Sequence, residues 1–142
     1  MNERESQIQD LMEAYRAAVL GKDVDALLGL YDADVRVFDL WNEWVFEGAT
    51  AWRVNVAAWF GSLGDERVQV GVEDVRIRES GDLAIVDAIV SYTGLAPDGS
   101  SLRTMHNRLT WALEDRDGAW RITHEHTSAP VSDATSTVIL QR

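Results

Sequence analysis

The chain has 142 residues, 46% of them hydrophobic and 26% charged, and a formal net charge of -11. This length can bury one core but not two ordinary ones, so we expect a single domain over residues 1–142. The negative charge opposes binding to nucleic acid and to anionic membranes. No cysteine is present, which excludes disulfides, thiolate nucleophiles and cysteine metal sites.

The chain begins with MNERESQ, which lacks the basic and apolar regions of a signal peptide. No apolar run reaches membrane-spanning length, so we expect a cytoplasmic protein with no membrane partner. Neither a glycine-rich phosphate loop nor a carboxylate cluster with metal-ligand spacing occurs. The prediction is therefore a protein without cofactor or metal.

Three segments have the apolar spacing of amphipathic helices. Ser6 and Gln9 form a capping box for the first, which Gly21 ends, and Asp23 caps the second. The apolar stripes of the first two helices are Ile8, Leu11, Met12, Tyr15 and Val19, and then Val24, Leu27, Leu28 and Tyr31. The stripe of the third is Trp52, Val56, Trp59, Phe60 and Leu63. We expect the first two helices to form a hairpin.

The remaining segments alternate with the period of β-strands. A short strand carries Val35, Val37 and Asp39, and four longer strands are predicted at 67–79, 82–95, 101–114 and 119–129. The apolar residues of the first long strand change parity near Glu73 and Asp74, which predicts a β-bulge. The fold class is therefore α+β, with N-terminal helices packed on a curved antiparallel sheet and a ligand cavity between them. Residues 130–142 form a C-terminal extension, either an extended arm or a frayed end.

The inward face of the last hairpin is predicted from the alternation of its residues, since every second residue of a strand faces the same side. Trp120 and Ile122 are apolar, so strict alternation places His124, His126 and Ser128 on the same inward face. An even-length turn at Asp117-Gly118 adds the inward residues Met105, Asn107, Leu109, Trp111 and Leu113. Glu125 then falls on the opposite face, where it is predicted to pair with Arg108.

Three stretches of this sequence resemble the nuclear transport factor 2-like superfamily, and within it the SnoaL-like and ketosteroid-isomerase-like branch. They are AYRAAVLGKDVDALLGLYDADVRVFD, FEGATAW and GAWRITHEHTSAP. The resemblance implies a cone-shaped α+β roll of the cystatin-like kind. The superfamily includes isomerases, cyclases, hydrolases, dehydratases and proteins without catalysis, so it fixes the fold more closely than the activity.

The resemblance also implies site residues. Ketosteroid isomerases use an aspartate base, a tyrosine donor and a protonated aspartic acid. Asp39 falls at the position of the base and Tyr15 at that of the tyrosine. The third position falls on Trp111 or Ala112, neither of which is an acid, although the indole N–H of Trp111 can donate.

Independently of the resemblance, Asp39 shares the parity of Val35 and Val37, so its carboxylate is predicted to point inward, where burial raises the pKa of a base. His124 and His126 are the other catalytic candidates, as an acid and base pair or as polar anchors. With Asp39 or Asp87 they would make a two-histidine, one-carboxylate metal site, a less favoured alternative. Simple hydrogen bonding within the core is the structural alternative for each histidine.

The predicted ligand is a small apolar or cyclic molecule with a carbonyl group. Its binding residues are predicted to be Trp41, Trp59, Asn107, Trp111 and Asp87. Asp87 shares the parity of Leu83, Ile85 and Ile89, so it is either inward and paired or on a dimer face, and a homodimer is the expected assembly.

Three functions are open at this point. The first is an isomerase or cyclase with Asp39 as base. The second is a ligand-binding or dimeric interaction module without catalysis. The third is a hydrolase or dehydratase in which Asp39 or His126 activates water.

Overall fold

A computed structural model describes residues 2–142. The helices are α1 (Glu3–Leu20), α2 (Val24–Leu28) and α3 (Gly48–Ser62). The strands are β1 (Tyr31–Phe38), β2 (Phe46–Glu47), β3 (Arg67–Ser80), β4 (Leu83–Leu95), β5 (Ser101–Arg116) and β6 (Ala119–Ser128). The predicted α+β class is confirmed. The short strand β2 was not predicted. Tyr31, predicted on the second helix, begins β1 instead, because α2 ends at its cap, Gly29.

The six strands form one curved, unclosed sheet in the order β2-β1-β6-β5-β4-β3. The long strands pair antiparallel, as predicted, whereas β1 lies parallel to β6. Helix α1 packs on β3, and α3 packs on β1. The core lies between these helices and the inner face of the sheet.

The helix starts follow from their caps. Asn2 caps α1, since its side chain accepts the N–H of Glu5 at 2.8 Å. The helix therefore begins before Ser6, the predicted cap. Asp23 caps α2 as predicted, accepting the N–H of Ala26 at 3.0 Å. Each cap pairs one of the N–H groups that the first turn of a helix leaves unpaired.

The predicted bulge in β3 is confirmed. Glu73 pairs with Ile89 and Arg76 with Asp87, so the bulged strand has one residue more than β4 between these pairs, and Asp74 has φ +54°. The even-length turn is confirmed as well. Arg116 pairs with Ala119 across Asp117 and Gly118, whose φ values are +56° and +90°. Two positive φ values in a two-residue loop match the right-handed twist of the strands.

The C-terminal segment lies along β5 where β6 has ended. The carbonyl of Leu140 accepts the N–H of His106 at 2.7 Å, and the side chain of Gln141 donates to the carbonyl of Thr104 at 2.7 Å. Val131 and Val138 form an isolated antiparallel bridge within the segment. Among residues 2–142, no helix has the length and apolar character needed to cross a membrane.

Candidate functional site

A second β-bulge, in β6, decides which side chains enter the interior. Leu113 of β5 pairs with Ile122, but the next pair is Ala112 with His124, so Thr123 is an extra residue on β6. The Thr123 hydroxyl donates to the carbonyl of Ala112 at 3.2 Å. Because an extra residue reverses the alternation of side chains, residues beyond Thr123 have the opposite facing from that predicted.

The predicted inward facing of His124 and His126 is therefore wrong. Both lie on the outer face of the sheet, where their rings contact Phe38 edge-on with centroids 4.9 and 5.5 Å away. His124 Nδ1 lies 2.6 Å from the carbonyl oxygen of Arg36, and His126 is exposed beside Thr110 rather than Asn107. The histidines and Asp39 therefore lie on opposite faces of the sheet. This excludes the predicted metal site made of both histidines and Asp39.

Glu125 occupies the interior instead and is only 2% exposed. Its Oε1 atom accepts the Tyr31 hydroxyl at 2.6 Å and the Trp111 indole N–H at 2.9 Å. Burial raises the pKa of Glu125 to about 7, while these two hydrogen bonds act to lower it and the charge of Asp39 raises it further. The predicted pair with Arg108 is wrong, because Arg108 stays outside and donates to Ser128.

Asp39 faces the interior, as its parity predicts. Val37 pairs with Glu125. The next inward residues, Asp39 directly after β1 and Thr127 of β6, are joined by a hydrogen bond of 3.1 Å from the Thr127 hydroxyl. That hydroxyl also accepts the N–H of Leu40 at 2.8 Å. Burial raises the pKa of Asp39, whereas the hydrogen bonds it receives, from the Trp41 N–H first, lower it. Asp39 is only partly buried, so its carboxylate remains within reach of a ligand.

Two tyrosine hydroxyls complete the polar interior. Tyr15 of α1 and Tyr92 of β4 lie with their hydroxyl oxygens 3.0 Å apart, and Asn107 of β5 adjoins Tyr92. Burial raises the pKa of both tyrosines, and the charge of Glu125 raises each further. The Tyr15 ring also contacts Trp111 edge-on, with centroids 5.4 Å apart. Both hydroxyls therefore stay protonated and can donate.

The structure brings together Tyr15, Asp39, Asn107 and Trp111 among the predicted site residues. The indole N–H of Trp111 is already bound to Glu125, so it is not the free donor that was predicted. Trp59 is partly buried, and its ring contacts that of Tyr92, 6.2 Å away between centroids. Trp41 is 46% exposed in the loop after Asp39.

Asp87 lies on the outer face, since the inward residues of β4 are Ala84, Val86, Ala88 and Val90. Its predicted inward alternative is wrong, and the face that it occupies is the one expected to form a dimer. Within residues 2–142, no group of three or more histidine, aspartate or glutamate side chains is arranged to hold a metal ion.

The interior cluster lies among side chains of the hydrophobic core. Two depressions of the surface flank α1, and neither is lined by Asp39, Glu125, Tyr15 or Tyr92. The expected site between helices and sheet is therefore not at either of these depressions. Asp39, Trp59 and Tyr92 are the partly buried members through which a ligand would enter.

Sequence reasoning missed Glu125, Thr127, Tyr31 and Tyr92 as members of the cluster. Tyr92 had a usable signal, because it continues the inward alternation Val86, Ala88, Val90 along β4. Tyr31 was assigned to the wrong element. Glu125 and Thr127 had no signal in their own strand, since no apolar residue follows Ile122 to mark the inward face.

Comparison with known proteins gives one family. The family model described as the SnoaL-like domain matches residues 8–132. No curated protein matches the chain. An NTF2-like protein of unknown function from Pseudomonas putida is 23% identical with a TM-score of 0.86, over 98% of this chain and 95% of that one.

Two proteins with a cystatin-like fold are also similar. One, from Caulobacter vibrioides, is 20% identical with a TM-score of 0.75, over 94% of each chain. The other, from Nostoc punctiforme, is 14% identical with a TM-score of 0.70, over 90% of this chain and 92% of that one. At these identities the likeness establishes a common fold and leaves the activity to be argued from the site.

Proposed function

This chain belongs to the SnoaL-like domain family, and we propose that it binds a small apolar molecule with a carbonyl group and moves a proton on it, as an isomerase or cyclase does. Membership of a small-molecule-binding family supports the first part. The second part depends on one observation. Asp39 is a partly buried carboxylate with a raised pKa that accepts the Thr127 hydroxyl and lies close enough to Tyr92 for its charge to raise the pKa of that hydroxyl.

In the proposed reaction Asp39 takes a proton from the carbon next to the carbonyl. The electrons of that C–H bond move into an enolate, and Asp39 then returns the proton to carbon. A raised pKa brings the carboxylate closer to neutral pH, where a general base is most efficient. The hydroxyls of Tyr15 and Tyr92 lie 3.0 Å apart, and one donates to the other. The second hydroxyl donates a hydrogen bond to the enolate oxygen, whose charge it stabilises strongly because the site is largely buried.

Glu125 supports this chemistry when it is protonated. With a pKa near 7, a large fraction of Glu125 is neutral at physiological pH and adds no negative charge beside a forming enolate. The Tyr31 and Trp111 donors fix its position. It therefore acts on the electrostatics of the site, and Asp39 remains the group that contacts the ligand.

Replacement of Asp39 by Asn tests the proposal. The exchange of α-hydrogens of α-tetralone in D₂O, followed by NMR, is expected to be catalysed by the wild-type chain and to slow by about 100-fold or more in Asp39→Asn. Asp87→Asn on the outer face is the matched control and should keep the wild-type rate. Equal rates in Asp39→Asn and wild type would eliminate Asp39 as the base.

The outer face of the sheet supports a homodimer as a second proposal. Leu83 and Ile85 are 58% and 52% exposed there, beside charges of both signs such as Asp87 and Arg108. Apolar residues mixed with opposite charges suit a two-fold interface, in which one patch contacts its own copy. The partner of this face is therefore a second copy of the chain.

Light scattering after size exclusion should give twice the 15.9 kDa mass of one chain. Ile85→Glu is expected to shift the protein to the monomer mass, because it buries an unpaired charge in the interface. Val54→Glu, at a position 68% exposed on α3, should leave the mass unchanged. A monomeric wild-type chain would contradict the assembly and leave the proposed chemistry unaffected.

A further inference from the structure

Asn107 is a buried amide in an otherwise apolar part of the inner sheet face. It is 7% exposed and lies on β5 between the inward residues Met105 and Leu109, paired with Val90 of β4. Its amide adjoins the Tyr92 hydroxyl, one of the two hydroxyls of the proposed site. Asn107 thus belongs to the ligand-facing cluster through Tyr92.

The carbonyl oxygen of this amide, Oδ1, is buried and has no hydrogen-bond partner in the part of the chain that the structure describes. Asn107 is an inward residue of β5, on the same face as Tyr92 of the neighbouring strand.

An unpaired buried acceptor is costly, and an apolar residue of similar size at this position would avoid the cost. Leu109 and Trp111, the next two inward residues of β5, both belong to the hydrophobic core, and the one polar group they carry, the Trp111 N–H, is bound to Glu125. Asn107, just before them on the strand, instead leaves a buried oxygen free to accept. A donor supplied by a ligand would pair this oxygen.

We propose that the ligand of this site carries a hydroxyl group that donates to Asn107 Oδ1, so that the substrate class is a hydroxylated cyclic carbonyl compound. The inference depends on the proposed function for the carbonyl and for the location of the site. It adds a second polar group to the ligand. A site built to accept a hydroxyl rejects the analogue that lacks it, because the acceptor is then left buried and unpaired.

The first test needs no ligand. Asn107→Leu removes the unpaired acceptor and is expected to raise the melting temperature of the free protein by several degrees, since it replaces an unsatisfied amide with an apolar side chain. Asn55→Leu, at a partly buried position on α3, is the control and should not raise it. A lower melting temperature for Asn107→Leu would show that Oδ1 is already satisfied in the folded chain, and would overturn the inference.

The second test compares α-tetralone with its phenolic hydroxy isomers by isothermal titration. The wild-type chain is expected to bind at least one hydroxy isomer about 10-fold or more tightly than α-tetralone itself. Asn107→Leu should remove that preference and bind α-tetralone at least as well as wild type. Equal affinities in the wild-type chain, or no binding of any of these ketones, would refute the role of Asn107.

The two proposals fail separately. Hydrogen exchange of α-tetralone that depends on Asp39, together with no preference for a hydroxy isomer, would leave the proposed function intact and eliminate the hydroxyl. A preference that depends on Asn107, without any exchange, would establish a hydroxylated ligand for a binding protein that performs no proton transfer.

Discussion

Glu125→Gln is expected to remove most of the loss of stability that the wild-type chain undergoes as pH rises from about 5 to about 8. Glutamine keeps a carbonyl oxygen where Oε1 accepts Tyr31 and Trp111. It cannot ionise, so it resembles the protonated form of the acid at every pH. The variant should therefore lose the pH dependence that this buried group causes.

The direction follows from the raised pKa. Folding shifts the pKa of Glu125 from 4.5 to about 7, so the folded state holds the proton more tightly than the unfolded state. The stabilisation is fully present below pH 4.5 and is lost as pH rises through 7. A shift of this size corresponds to about 3 kcal/mol.

Urea denaturation at about pH 5 and about pH 8 measures this effect. The free energy of unfolding of Glu125→Gln, measured relative to that of wild type, should rise by about 2–3 kcal/mol from the lower to the higher pH. Glu43→Gln, in an exposed loop, is the control and should follow the wild-type curve. Parallel curves for Glu125→Gln and wild type would show that Glu125 is ionised in the fold at both pH values.

Trp111→Ala is expected to lower the free energy of unfolding by about 3–5 kcal/mol, the range for truncating a buried aromatic residue. Trp111 is 2% exposed and packs on the ring of Tyr15 at 5.4 Å between centroids. Its indole N–H is also one of two donors to Glu125. The variant therefore leaves a large void and removes a hydrogen bond from a buried carboxyl group.

Trp44→Ala is the matched control for this loss, because Trp44 is 92% exposed. Its cost should stay within about 0.5 kcal/mol. Trp111→Phe separates the two effects, since it keeps an aromatic ring against Tyr15 but cannot donate to Glu125. A small loss in Trp111→Ala, comparable with that of Trp44→Ala, would contradict the packed core.

The fold could be predicted because apolar residues mark each element more than once. The β3 bulge was evident since Val68 and Val70 face inward before it, while the partly buried Ile77 continues the inward set after it. The Asp117-Gly118 turn fixed the register of β5 through residue types that accept positive φ. In both cases, two independent signals specified the same geometry.

Of the polar site residues near β1 and β6, the facing of Asp39 was predicted correctly and the facing of the β6 residues was not. Asp39 was placed correctly because Val35 and Val37, both fully buried, are inward residues of the same alternation, and Val37 is only two residues before it. In β6, Ile122 is the last apolar residue, and the bulge at Thr123 immediately follows it. The acidic and imidazole side chains beyond it carry no hydrophobic preference that would reveal their facing. Tertiary contacts with β1 and Trp111 therefore decide it.

The bulge at Thr123 means that one short sequence encodes two different interiors. With the extra residue, the strand sends Glu125 and Thr127 to the ligand side and both imidazoles outward. If the same residues paired one for one with β5, without the bulge, the imidazoles would face inward in place of Glu125 and Thr127, while Trp120 and Ile122 kept their places in the core. The acid–base character of this interior, carboxylate or imidazole, therefore depends on the pairing of one backbone residue as much as on the side chains that the strand carries.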